Sequence, residues 1–195
     1  FRIVLIFIPP CSVGLFIMAE PIIRIVFPLL DSNLLSIAVT LLKFSSIEMF
    51  YLSFVTISNA ILQALNKTKK AVLSLSIGIS LKLVFTIILV LNANINILGL
   101  VLASTLCYFI VTLINVKTIK KQTCFRISFM ELFSPIISSV LMAIMVIIFN
   151  YNLNLSNSIW GVFALILMAI ITYFCILIAL KQINFKDVKK LFKKQ

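Results

Sequence analysis

The sequence predicts an all-α, polytopic membrane protein with six transmembrane helices. Three observations carry that reading. First, 63% of the 195 residues are hydrophobic and 11% are charged, whereas a soluble domain is roughly half apolar and about a quarter charged. With a mean hydropathy of +1.24, the chain cannot cover itself with polar surface, and its solvent is lipid. Second, the apolar residues form continuous runs of the length needed to cross a hydrocarbon core of about 30 Å, roughly 20 helical residues each. They do not alternate as strands of a sheet or barrel do. Third, the gaps between the runs alternate in charge.

The first run, Ile3–Phe27, follows Arg2 and ends before Pro28, Asp31, Ser32 and Asn33. Pro9 and Pro10 remove backbone donors from it and are the helix-bend candidates. Glu20 and Arg24 lie one turn apart toward its outer end, as an interfacial pair does. The second run, Leu34–Gln63, leads to three lysines in Asn66–Lys70. The third, Ala71–Leu91, leads to the uncharged Asn92–Asn96, and the fourth, Ile97–Val116, to four positive charges in Lys117–Arg126. The fifth, Leu132–Phe149, leads to the uncharged Asn150–Ser158. The sixth, Ile159–Leu180, leads to a tail with six lysines from Lys181 onward. The flanking segments alternate basic and non-basic from one end to the other, so the positive-inside rule puts both ends in the cytoplasm. In the tail, Phe185, Val188, Leu191 and Phe192 recur at helical spacing among lysines. Such a segment either lies on the membrane surface or is a solvated tail that fixes topology.

The formal net charge of +12 comes from 17 basic and 5 acidic residues. The basic residues sit in short gaps between spans, which is the pattern of loops facing an anionic leaflet. Anionic membrane lipids are therefore the expected partner, and nucleic acid is not. Cys11, Cys107, Cys124 and Cys175 show no paired spacing, which argues against disulfide or metal roles. There is no histidine, so the commonest base and metal ligand is missing and an enzyme is not expected. No cofactor or metal is implied. The chain opens at Phe1 inside an apolar run, as a piece of a longer protein does.

Charge inside a span costs about 2.5–3.5 kcal/mol on insertion scales, so polar residues there face protein or water. On the second helix Ser45, Glu48, Thr56, Asn59 and Gln63 fall within an arc of about 80°. Lys43 lies nearly opposite, where it can snorkel. On the third helix Ser74, Gly78, Lys82 and Thr86 repeat every four residues. On the fourth, Thr105, Tyr108, Thr112 and Asn115 share a broad face. The fifth and sixth helices carry little beyond Ser138 and Ser139. Four helices around a polar interior and two lipid-like helices are expected. Lys82 and Glu48 lie near mid-span on neighbouring helices. Two readings stand: an ion pair that holds the helices together, or a cavity in which Lys82 meets an anion. Lys82, Glu48, Asn59, Gln63, Thr86 and Tyr108 are the substrate-cavity candidates.

The segment IFIPPCSVGLFIMAEPIIRIVF, through Pro10, Gly14, Leu15, Ala19, Pro21 and Phe27, resembles the multidrug/oligosaccharidyl-lipid/polysaccharide exporter superfamily (MATE-like). ILQALNKTKKAVLSLSIGISLKLVF resembles its polysaccharide-biosynthesis branch through Leu62, Gln63, Leu65, Lys67, Gly78 and Lys82. NINILGLVLASTLCYFIVTLIN matches the following segment through Ile97, Gly99, Ala103, Tyr108 and Asn115, with Leu100 where the family has Ala. SPIISSVLMAIMV matches the next helix through Pro135 and Met142. Together they resemble stage V sporulation protein B-like flippases over nearly the whole chain.

The resemblance implies the C-terminal part of a two-lobe transporter of about fourteen helices. Residues 1–126 would be four second-lobe spans, and residues 127–195 two additional spans with a basic tail. The implied partner within the protein is an N-terminal lobe. The implied substrate is a lipid-linked saccharide of the undecaprenyl-pyrophosphate type, flipped across the cytoplasmic membrane for cell-envelope or spore-envelope polymers. The two last helices are implied to help form a groove for its lipid tail. A cation-coupled multidrug exporter of the same superfamily, with Glu48 as coupling carboxylate, is one alternative. A non-transporting membrane scaffold is another.

Overall fold

A computed structural model describes residues 2–91, 97–122, 129–153 and 159–179. They form seven helices: α1 (Arg2–Ile17), α2 (Ala19–Val26), α3 (Ser32–Ala64), α4 (Thr68–Val90), α5 (Ile97–Gln122), α6 (Phe129–Leu153) and α7 (Ile159–Ala179). The helices α3 to α7 are each long and apolar enough to cross a membrane. α1 and α2, bent by 64° at their junction, pass the same test together and count as a sixth if the bent pair is one span. The expected all-helical architecture is therefore present, with five or six spans. The basic tail and residues 92–96, 123–128 and 154–158 lie outside the described residues.

The break lies beyond the bend candidates Pro9 and Pro10. α1 runs unbroken through Pro9 and Pro10, and the 64° bend falls at Met18. Pro21 supplies the reason. It has no N–H to give to the Ile17 carbonyl, and its ring crowds that carbonyl. The ladder continues on either side, with Met18 N–H bonded to Gly14 O at 2.9 Å and Ile22 N–H to Met18 O at 3.0 Å. Pro10 leaves the Ile6 carbonyl without its usual donor in the same way. There the Tyr173 hydroxyl of α7 donates to the Ile6 oxygen instead, which lets α1 pass through the prolines.

The chain divides into two compact units, with one boundary after Arg126. One unit is Phe1–Asp31 with Ile127–Gln195, and the other is Ser32–Arg126. The first span thus groups with α6 and α7, not with α3, α4 and α5. In the first unit, Gly161, Leu165, Ala169, Tyr173 and Leu177 are the buried stripe of α7. This four-residue repeat puts one narrow face against its neighbours. Leu165, Ala169, Tyr173 and Leu177 pack with Met18, Met142 and Val146 in a core flanked by Ile6, Val13 and Ile17.

In the second unit α5 packs between α3 and α4. The turn from α3 to α4 is set by Asn66, which takes a positive φ of 57°. Lys67 N–H reaches Leu62 O at 2.8 Å and Asn66 N–H reaches Gln63 O at 2.9 Å. This is the paired-bond helix stop usually made by glycine, and Asn is the next best residue for it. The turn is therefore short, and α4 starts at Thr68. Leu62, Ala71 and Ile119 then pack together, which puts the end of α3, the start of α4 and the end of α5 at one level. Gly78 explains how closely α4 and α5 approach: a Cβ there would stand 2.4 Å from Val111 Cγ2. At the far end of the same pair a Cβ on Gly99 would stand 2.8 Å from the Leu89 carbonyl carbon.

Candidate functional site

Helix register decides which polar groups of the second unit meet. α5 runs parallel to α3, since Tyr51 stacks edge-on to Phe109 with ring centroids 5.4 Å apart and Asn115 meets Asn59. α5 runs antiparallel to α4, since Gly78 faces Val111 and Gly99 faces Leu89. The polar residues consequently fall into two levels.

The first level lies near mid-span. The Lys82 ammonium sits 5.6 Å from the centroid of the Tyr108 ring, a cation–π contact of about 0.5–2 kcal/mol depending on desolvation. Glu48 on α3 feels the attraction of Lys82 and lies within hydrogen-bonding reach of Ser104. The Ser104 hydroxyl also donates to Leu100 O at 3.0 Å. Glu48 and Lys82 form no contact ion pair within 4.0 Å among the described residues. So the reading in which these two make a direct interhelical bridge is corrected: Lys82 rests on an aromatic face, with Glu48 as an attractive charge further away. The distance has a geometric cause. The register puts Glu48 beside Ser104 and Lys82 beside Tyr108, one turn of α5 apart, or about 6 Å.

The second level lies toward the end where α3 meets α4. Asn115, fully buried, donates from Nδ2 to Ser58 Oγ at 2.9 Å and to Asn59 Oδ1 at 2.9 Å. Asn59 is therefore part of a lock between α3 and α5. Gln63, one turn on, is exposed. Thr86 is half-buried one turn from Lys82. Of the six candidates, the structure brings Glu48, Lys82 and Tyr108 together, places Thr86 next to that group, and leaves Asn59 and Gln63 apart from it.

Ser104 and Ser58 were not singled out from the sequence. The 56-residue offset that joins Asn59 to Asn115 also takes Glu48 to Ser104, whereas Ser58 meets the same Asn115 at an offset of 57. The stripe Ser74, Gly78, Lys82, Thr86 has a simple explanation in part: Ser74 and Gly78 are buried against α5. Thr105 and Thr112 bond back to their own helix, to Val101 O at 2.8 Å and Tyr108 O at 2.7 Å, which satisfies a hydroxyl in an apolar setting. The pair Glu20–Arg24 forms at 2.8 Å, exposed on α2. Among the described residues no group of three or more Asp, Glu, Cys or His side chains is placed to hold a metal ion.

The first unit holds a different feature, an apolar cavity of about 450 Å³. Phe7, Pro10, Leu15, Met142, Ile170 and Phe174 are among its lining residues. It offers a long apolar chain a place and offers a charged group nothing.

Five helices long and apolar enough to cross a membrane, or six with the bent pair, make this an all-helical chain of the multi-pass membrane class. The structure is similar to that of the lipid II flippase MurJ in its inward closed conformation, with a TM-score of 0.76 and 18% identity. The match covers 88% of this chain and 35% of that one, so the chain spans about a third of the flippase's length. No family model matches the sequence, and no curated protein does.

Proposed function

We propose that this chain is part of a flippase that moves a lipid-linked saccharide or peptidoglycan precursor across the cytoplasmic membrane, with Lys82 as a contact for its pyrophosphate. The observation that carries this reading is the state of Lys82. An ammonium near mid-span is costly without a partner. Here the partner is the Tyr108 ring, which steadies the cation without neutralising it. Glu48 is near enough to attract Lys82 and competes with an arriving anion. The fold likeness to a lipid II flippase supports the class of cargo. The apolar cavity of the first unit suits a polyprenyl tail, which needs only apolar walls. The remaining length of such a transporter supplies its other lobe. Both ends of this chain are cytoplasmic in this reading, and no covalent chemistry is required of any residue. The polysaccharide and sporulation branch suggested by the sequence motifs sets the wider role as envelope polymer synthesis.

The test is precursor export in cells that depend on the full-length protein. Lys82→Met should leave membrane levels normal and abolish export of labelled precursor. Full export by a normally folded Lys82→Met protein sinks the assignment. One observation favours a second reading, the cation-coupled exporter. Glu48 is the sole acid of Ser32–Arg126 and is half-buried. Drug resistance lost in Glu48→Gln, with envelope polymers unaffected, would move the assignment there.

A further inference from the structure

We propose that the α3–α4 turn and the first two turns of α4 form a binding site for one anionic phospholipid. Its phosphate sits at Lys69 and Thr68, and an acyl chain lies along Val72, Leu73 and Ser76. This site is separate from the Lys82 level and does not depend on what is transported.

Three observations converge on it. The Asn66 turn and the Leu62–Ala71–Ile119 cluster bring two basic segments to one end of the unit. Lys67, Lys69, Lys70, Lys117, Lys120 and Lys121 are all exposed there. Nothing in Ser32–Arg126 offsets them locally. Its one acid, Glu48, lies on α3 about 24 Å from the helix end at 1.5 Å per residue. Lysines grouped at the rim of a membrane span attract anionic headgroups.

A basic rim alone would be satisfied by a diffuse layer of lipid. The groove makes it a site. A shallow groove, open to the outside along its length, is lined by Thr68, Lys69, Val72, Leu73 and Ser76. These positions share one face of α4. The order along the groove is that of an amphiphile: a hydroxyl and an ammonium at the rim, then Val72 and Leu73, which are 60% and 62% exposed. From Thr68 to Ser76 the groove runs about 12 Å at 1.5 Å per residue, which holds the upper part of an acyl chain. A free phosphate would use only the rim and leave the apolar floor uncovered. The occupant is therefore a lipid and not an inorganic ion.

The protein would be taken from vesicles of equal phosphatidylglycerol and phosphatidylcholine into mild detergent, and retained lipid counted by native mass spectrometry. The wild type should retain phosphatidylglycerol several-fold over phosphatidylcholine. The triple change Lys67→Gln, Lys69→Gln, Lys70→Gln should bring the ratio close to one. The charge-matched Lys189→Gln, Lys190→Gln, Lys193→Gln in the tail should leave it unchanged. Val72→Ser with Leu73→Ser, at exposed positions and with an unchanged unfolding temperature, should also reduce retention. Equal losses from the turn and tail triples would show a diffuse charge effect and overturn the site. So would a preference that survives the turn triple or the serine pair, or displacement of the lipid by millimolar inorganic phosphate.

Discussion

The Tyr173 hydroxyl donates to the one carbonyl of α1, that of Ile6, which Pro10 deprives of its helical donor. The bond ties α7 to α1 through a backbone group that a membrane cannot satisfy. Tyr173→Phe should cost about 1–3 kcal/mol, the penalty for leaving a buried acceptor unpaired. Adding Pro10→Ala should recover most of the loss, since the new N–H serves Ile6 from within the helix. Thermal unfolding of the detergent-purified protein measures both. A double variant no more stable than Tyr173→Phe alone would show that the hydroxyl does not act through Ile6.

Gly78 should tolerate no side chain. Its Cβ would meet the Val111 methyl at 2.4 Å, and Val111 is β-branched and stiff at χ1. Gly78→Ala should destabilise by about 1–3 kcal/mol, the usual cost of overpacking. Val111→Ala, which removes the obstructing methyl, should make the same glycine change far milder. The coupling energy of this double-mutant cycle, read from unfolding midpoints, is the measurement.

Asn115→Leu should destabilise the α3–α5 contact and leave Ser58 and Asn59 without their shared donor. The expected loss is about 1–3 kcal/mol for buried polar groups left unpaired. Asn59→Leu on top of it should add less than it does alone, because the two residues belong to one network. Additive losses would show that Asn59 has a separate role, such as contact with cargo.

Tyr108 and Lys82 should separate by readout. Tyr108→Leu removes the aromatic face and leaves the charge, so protein levels should hold while export falls several-fold. Tyr108→Phe keeps the face and should keep most of the export. If Tyr108→Phe falls as far as Tyr108→Leu, the hydroxyl and not the ring is what matters.

Orientation has its own test. In a cysteine-free background, cysteines at Asn94 and Asn154 should react with an impermeant reagent from outside, and one at Lys120 should not. The reverse pattern would turn the basic end of the α3–α5 unit outward.

The six spans were legible because hydrophobic run length is a direct physical requirement of crossing lipid. The depth of Glu48, about one turn from Lys82, was also legible from helical period and the position of the Lys67 turn, whereas the level of Tyr108 was not. What was not legible has particular causes. Pro9 and Pro10 were legible as bend candidates, but sequence does not show that a tyrosine far along the chain replaces the donor missing at Pro10. Asn59 was expected in a cavity because its face of α3 is polar. Whether a polar face meets water or another asparagine depends on interhelical offset, which one helix does not encode. The grouping of the first span with α6 and α7 fits the absence of a polar stripe on α1 to share with α3, α4 and α5.

The elbow at Met18 has a consequence for how the first span can be altered. Pro21 cannot donate to the Ile17 carbonyl, and hydrocarbon supplies no donor in its place. The 64° elbow is nonetheless packed on its inner side, because Met18 and Ala19 are buried. Straightening it with Pro21→Ala would restore the backbone bond and at the same time pull Met18 out of the core it shares with Met142 and Leu165.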